Sequence, residues 1–158
     1  MKYLLKYKLF ESFTEEDMKV VFEPYINWEL IKDLEDRALE HLDKGLSLNI
    51  IIYYDTQKSH LSVQIPSDFD PKNRNLHKAT PIYDIQFTHR EKISSWYISK
   101  EIQNLIEGPY ELEDIKRDKI IYYFVIADMG KGIISDESSE LMELISSIYP
   151  DEDIRTFF

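Results

Sequence analysis

Hydrophobic and polar positions alternate along residues 3–10, with Tyr3, Leu5, Tyr7 and Leu9 on one side and Lys6 and Lys8 on the other. That period of two is the mark of a short strand. Thr14 followed by Glu15-Glu16-Asp17 reads as a helix start, a capping hydroxyl ahead of acids in the first turn, and Pro24 ends that helix early. The strongest helical pattern runs from Asn27 to Lys44. Ile31, Leu34, Ala38, Leu39 and Leu42 recur every three or four residues and form one apolar stripe, with Asn27 as cap and Gly45 as stop.

Two strands are expected next. Leu46–Tyr54 is rich in β-branched and aromatic residues, and Ser59–Ile65 alternates with Leu61, Val63 and Ile65 on one face. Asp55–Lys58 would join them as a hairpin loop. Pro66–Thr80 is polar and aperiodic, a loop of uncommon length. Ile82–Thr88 alternates as a third strand. Ile93–Glu107 reads as an amphipathic helix with Ile93, Tyr97, Ile98, Ile102, Leu105 and Ile106 inward, stopped by Gly108-Pro109. A helical turn over Leu112–Arg117 precedes Lys119–Ala127, the most apolar strand and the one expected at the centre. Asp128–Gly132 turns the chain, and a last helix opens at Ser135 or Asp136 and ends before Pro150.

Adjacent strands joined by tight turns predict a mostly antiparallel sheet with helices packed on one face, an α+β fold of two layers. One domain spans residues 1–158, with an N-terminal segment 1–13 and a C-terminal tail 151–158.

A chain of 158 residues buries enough surface to fold without a disulfide or a metal. The apolar content of 43% and aromatic content of 13% exceed what a disordered chain carries. Absence of cysteine excludes disulfide scaffolds, thiolate metal sites and thiol nucleophiles. Met1–Leu5 runs into Lys6 and Lys8 with no apolar core or cleavage site, so no signal peptide is expected. The longest apolar run, Ile120–Ala127, is too short to span a bilayer. The expected location is the cytoplasm. A net charge of −11 repels phosphate backbones, so double-stranded DNA is not an expected partner. It also favours association with basic partners.

Candidate chemistry is sparse. Gly130-Lys131-Gly132 lacks the glycine spacing and the Lys-Ser/Thr pair of a phosphate loop, so it reads as a turn. His60-Leu61-Ser62 matches half of a two-histidine phosphodiesterase motif, but neither His41, His77 nor His89 completes it. Asp17-Met18-Lys19, Asp70-Pro71-Lys72 and Asp114-Ile115-Lys116 have the acid-x-Lys spacing of metal-dependent nucleases, at about the frequency that the composition produces by chance. Asp68, Asp70 and Asp84 lack the close spacing and glycine of a calcium loop. No catalytic, cofactor or metal residue is assigned. An enzymatic alternative, phosphodiesterase or nuclease, would rest on His60, Lys116 and neighbouring acids.

Two features bear on binding. Aromatic pairs occur at Tyr53-Tyr54, Trp96-Tyr97 and Tyr122-Tyr123; packing in the core or on a sheet face is the first expectation for them, and if exposed together they would instead mark a protein-binding hot spot. The tail supplies the other feature, with Asp151, Glu152, Asp153 and Ile154 leading to Phe157 and Phe158. Asp151, Glu152, Asp153, Ile154 and Phe158 resemble the partner-recruiting tails of bacterial single-stranded-DNA-binding proteins. The rival expectation is that the tail packs on its own domain or on a twin subunit.

The opening Lys6-Tyr7-Lys8-Leu9-Phe10-Glu11-Ser12 resembles the start of small accessory proteins of tailed bacteriophages. That resemblance implies an accessory or virion-associated protein and no particular reaction. Size, acidity and missing catalytic motifs also resemble toxin-immunity proteins. The expected function is an acidic protein-binding module without catalytic activity, whose partner is another protein or a second copy.

Overall fold

The computed structural model describes residues 14–55, 79–98, 102–103, 119–128 and 130–156. Helix α1, Glu15–Phe22, starts in a full capping box. The Thr14 N–H donates to Asp17 Oδ2 at 2.8 Å, and the Asp17 N–H donates to Thr14 Oγ1 at 3.4 Å. Two of the orphan amides of the first turn are satisfied reciprocally in this way. Pro24 falls in the 3-10 turn Glu23–Tyr25, beyond the helix interior where its ring would clash.

Helix α2, Trp28–Asp43, is capped by Asn27, whose Oδ1 accepts from the Leu30 N–H at 3.1 Å. It buries Leu30, Ile31, Leu34, Ala38 and Leu42. Leu39, assigned to the same stripe by spacing, is exposed, because it sits about 100° round the helix from the centre of that stripe. Gly45 has φ +88°, a conformation that favours glycine just past a helix end.

The strands are β1 Leu46–Asp55, β2 Ala79–Phe87, β3 Lys92–Trp96, β4 Ile120–Asp128, β5 Gly132–Ile133 and β6 Asp153–Thr156, with helix α3, Ser135–Ile148, between β5 and β6. The sheet runs β3-β2-β1-β4, and β5 and β6 share the far edge of β4 at its two ends. Every pairing is antiparallel except β4 with β6, which α3 connects as a crossover.

The β1–β4 register aligns Leu48 with Ile126, Ile50 with Phe124, Ile52 with Tyr122 and Tyr54 with Ile120. All eight are at most 1% exposed and share one cluster with the buried residues of α1, α2 and α3. The helices therefore cover one face of the sheet, and the expected α+β architecture is present. Burying each such side chain stabilises the fold by about 1.5–3 kcal/mol. Directional contacts fix the helices on this surface. The Asn27 N–H donates to Tyr122 Oη at 2.7 Å. Ser138, fully buried, accepts from the Ile126 N–H at 2.9 Å and donates to the Ile134 carbonyl at 2.8 Å.

One expected helix begins as a strand instead. Lys92–Trp96, the start of the span assigned to Ile93–Glu107, pairs with β2 as a strand. Local hydrogen bonding decides it. The Thr88 N–H donates to the Glu91 carbonyl at 2.9 Å and the Glu91 N–H to Thr88 Oγ1 at 3.1 Å, closing a hairpin around His89 and Arg90. Ile93, Tyr97 and Ile98, expected inward, are exposed. Ile102, in the helical pair Ile102–Gln103, is the buried member of that set among the described residues.

Strand β2 begins at Ala79, inside the stretch expected to be loop. Its pairing with β1 shifts between Ile52 and Tyr53, next to Pro81, which has no amide to give to a ladder. Gly130 and Gly132 take positive φ in a turn closed by the Lys131 N–H and the Asp128 carbonyl, so Gly130-Lys131-Gly132 is a turn, as its spacing predicts. The strands expected at residues 3–10 and Ser59–Ile65, the Leu112–Arg117 turn and the Lys6–Ser12 motif lie outside the described residues.

Candidate functional site

Strand β3 is an edge: among the described residues nothing pairs with its outer side. The hydrogen-bonding parity follows from two contacts, Thr88 N–H to the Glu91 carbonyl and Tyr97 N–H to the Ile82 carbonyl at 3.0 Å. In an antiparallel ladder hydrogen-bonded pairs alternate with non-bonded pairs. Ile93 and Ser95 therefore turn their amides and carbonyls toward β2, while Lys92, Ser94 and Trp96 turn theirs outward. Lys92 through Ser95 are exposed on both faces of the strand.

Aromatic rings support this edge on the helix-covered face. Trp28, at the first turn of α2, meets Tyr83 edge-on at 5.6 Å, and Tyr83 meets Trp96 at 4.4 Å. The Trp28 indole N–H donates to the Glu23 carbonyl at 3.0 Å, which fixes the ring while leaving it 38% exposed. The Lys92 ammonium lies 5.4 Å from the centre of the Phe87 ring. On the opposite face, Asp84 accepts from Ser95 Oγ and from Tyr97 Oη, each at 2.7 Å, one on each carboxylate oxygen. The strand is held from β2 by these contacts, and among the described residues its outer side is unpaired. Ile93 at 59% exposure and Ile98 at 51% add apolar surface beside it.

Charge distinguishes this region from the rest of the chain. Arg90 and Lys92 balance Asp84 and Glu91 on the β2–β3 hairpin, within a chain of net charge −11. On the sheet face opposite the helices, Tyr53 and Tyr123 meet edge-on at 6.4 Å. Burial, with the Tyr53 phenol adding to it, pushes the Tyr123 hydroxyl up to about 12.

The tail residues proposed from the sequence take other places. Asp153–Thr156 is β6, built into the sheet with Ile154 beside Tyr122 and packed against the core. Thr156 Oγ1 donates to the Phe124 carbonyl at 2.7 Å, and Arg155 grips Asp153 through two hydrogen bonds at 3.0 Å. Glu152 accepts from Asn27 Nδ2 at 3.2 Å, and Asp151 lies exposed in the turn before the strand. Phe157 and Phe158 lie outside the described residues. Through Thr156 the tail takes the second of its two expected placements, against its own domain.

Among the described residues the enzymatic candidates are not brought together. Asp17 is the buried partner of the Thr14 cap, so the triplet Asp17-Met18-Lys19 has a structural use. His41 is on α2 and His89 at the hairpin tip. His60, His77, Asp68, Asp70 and Asp114–Lys116 lie outside the described residues. No group of three or more metal-ligating side chains occurs among the described residues, and no helix there is long and apolar enough to cross a membrane. The aromatic signal at Trp96-Tyr97 was visible in the sequence; its assignment to a helix hid the edge it belongs to.

Comparison with protein families, curated proteins and solved structures finds no match for this chain.

Proposed function

We propose that this chain is a protein-binding module, and that it docks through the outer edge of β3. The open row of Lys92, Ser94 and Trp96, backed by the Trp28–Tyr83–Trp96 ring contacts, carries the reading. An exposed strand edge is a template for adding a strand from another chain, its main-chain groups supplying affinity and the flanking side chains specificity. Exposed Trp and Ile beside the edge supply the apolar anchors that such contacts need. The phage-accessory reading stays with the Lys6–Ser12 resemblance, and a small adaptor with an adhesive edge suits that role.

The decisive variant is Ser94→Pro. Its amide points away from β2, so proline removes an outward donor and leaves the β2–β3 ladder intact. The proposal expects Ser94→Pro to keep the wild-type melting temperature and to lose the complexes that wild type forms in its native host. Complexes undiminished by Ser94→Pro would overturn it.

A further inference from the structure

The outward row of β3 is self-complementary, and from it we infer that the strand's occupant is β3 of a second copy. This rests on β3 being a docking surface. Antiparallel pairing of two copies about a two-fold axis at Ser94 places Ser94 opposite Ser94, Lys92 opposite Trp96 and Trp96 opposite Lys92. It is the register in which every outward residue of one strand meets an outward residue of the other, each pair exchanging two hydrogen bonds. A shift of one residue would face outward amides with inward ones, and a shift of two leaves outward residues unpaired at the ends.

The side chains agree with that register. Lys92 and Trp96 share the face of Phe87 and Tyr83, so each Lys92 ammonium, already over Phe87, would meet the partner's indole. On the other face Ile93 would lie beside the partner's Ser95, a small neighbour that leaves room for it. Ser94, at the axis, brings no charge and little bulk. The hairpin's balance of Arg90 and Lys92 against Asp84 and Glu91 lets two chains of net charge −11 meet where neither is acidic. A basic partner would find no acidic counterpart at this edge, and an acidic one would be repelled by the rest of the molecule.

Two measurements test this. The chain has no cysteine, so Ser94→Cys introduces a single thiol on the expected axis. Hydrogen-bonded antiparallel pairs hold their Cα atoms about 5.5 Å apart, within disulfide range. Mild oxidation should convert Ser94→Cys to a covalent dimer at micromolar protein, at least ten times faster than Ser147→Cys, an exposed position on α3. Sedimentation equilibrium should show wild type dimerising and Ser94→Pro monomeric. Wild-type dimerisation should strengthen as salt screens the like charges, whereas capture of a basic partner would weaken. A wild type that stays monomeric to hundreds of micromolar would overturn the second-copy inference. In that case loss of host complexes by Ser94→Pro would still support the docking edge. A dimer unaffected by Ser94→Pro, with equal cross-linking of the two cysteine variants, would put the interface elsewhere and overturn it.

Discussion

Replacing Tyr122 with Phe removes one oxygen atom from the junction where the α2 cap meets the sheet. Tyr122 is fully buried on β4, and its hydroxyl accepts from the Asn27 N–H at 2.7 Å. Asn27 also caps α2 through Leu30 and holds Glu152 ahead of β6, so the contact ties one helix and one edge strand to the central strand. Phe fits the same space, which leaves the apolar burial unchanged. The loss is a hydrogen bond worth about 0.5–1.5 kcal/mol plus the cost of an amide left without its partner, about 1–3 kcal/mol when fully buried. Asn27 is half-buried, so water recovers part of the second amount, and the expected total is about 1–2 kcal/mol. With a urea slope of about 2 kcal/mol per molar, the unfolding midpoint should fall by roughly 0.5–1 M at unchanged slope. Urea titration followed by far-ultraviolet circular dichroism reads it. A midpoint equal to wild type would refute the reasoning that this hydroxyl anchors the cap.

Leu34→Asp places a charge in the fully buried stripe of α2 and should cost about 3–5 kcal/mol, read as a collapse of the melting temperature; an unchanged melting temperature would contradict the packing of α2. Deleting residues 151–158 removes β6 with the Thr156 bond to β4, and should lower stability by about 2 kcal/mol or more, a fall in melting temperature of at least roughly 4 °C; equal melting would mean that β6 contributes nothing. Tyr123, held protonated to about 12 against an ordinary 10, favours the fold fully below pH 10, and that contribution is lost as pH rises toward 12. Ultraviolet titration of phenolate in wild type and Tyr123→Phe should assign the latest-ionising tyrosine to Tyr123; a difference centred at pH 10 would contradict its burial.

The sequence makes some of this fold legible and hides the rest for identifiable reasons. Helix α2 is readable because its cap, its stripe and its glycine stop agree. Strands β1 and β4 are readable because both are long runs of β-branched and aromatic residues at the centre of the sheet. Strand β3 is misleading. As an edge exposed on both faces it has no alternation to show, and Ile93, Tyr97 and Ile98 fall at spacings that suit a helix equally well. The Thr88–Glu91 turn and the pairing with β2 that it starts separate the two. Strand β6 is hidden for another reason. Asp153-Ile154-Arg155-Thr156 is short and polar, and its place comes from parallel pairing with a strand far back in the chain and from the Thr156 and Asn27–Glu152 contacts. The candidate site was half visible. Trp96-Tyr97 marked an aromatic pair, but the edge that makes it accessible depends on long-range pairing.

Amide hydrogen exchange along β3 tests the docking edge most directly. Ile93 and Ser95 donate toward β2 and should be protected at every protein concentration. Lys92, Ser94 and Trp96 face outward and should exchange freely in dilute protein, then slow by at least tenfold as concentration rises into the dimer range. Protection of all five amides in the dilute monomer would contradict the open edge. Free exchange of the outward three at high concentration would contradict strand pairing between copies.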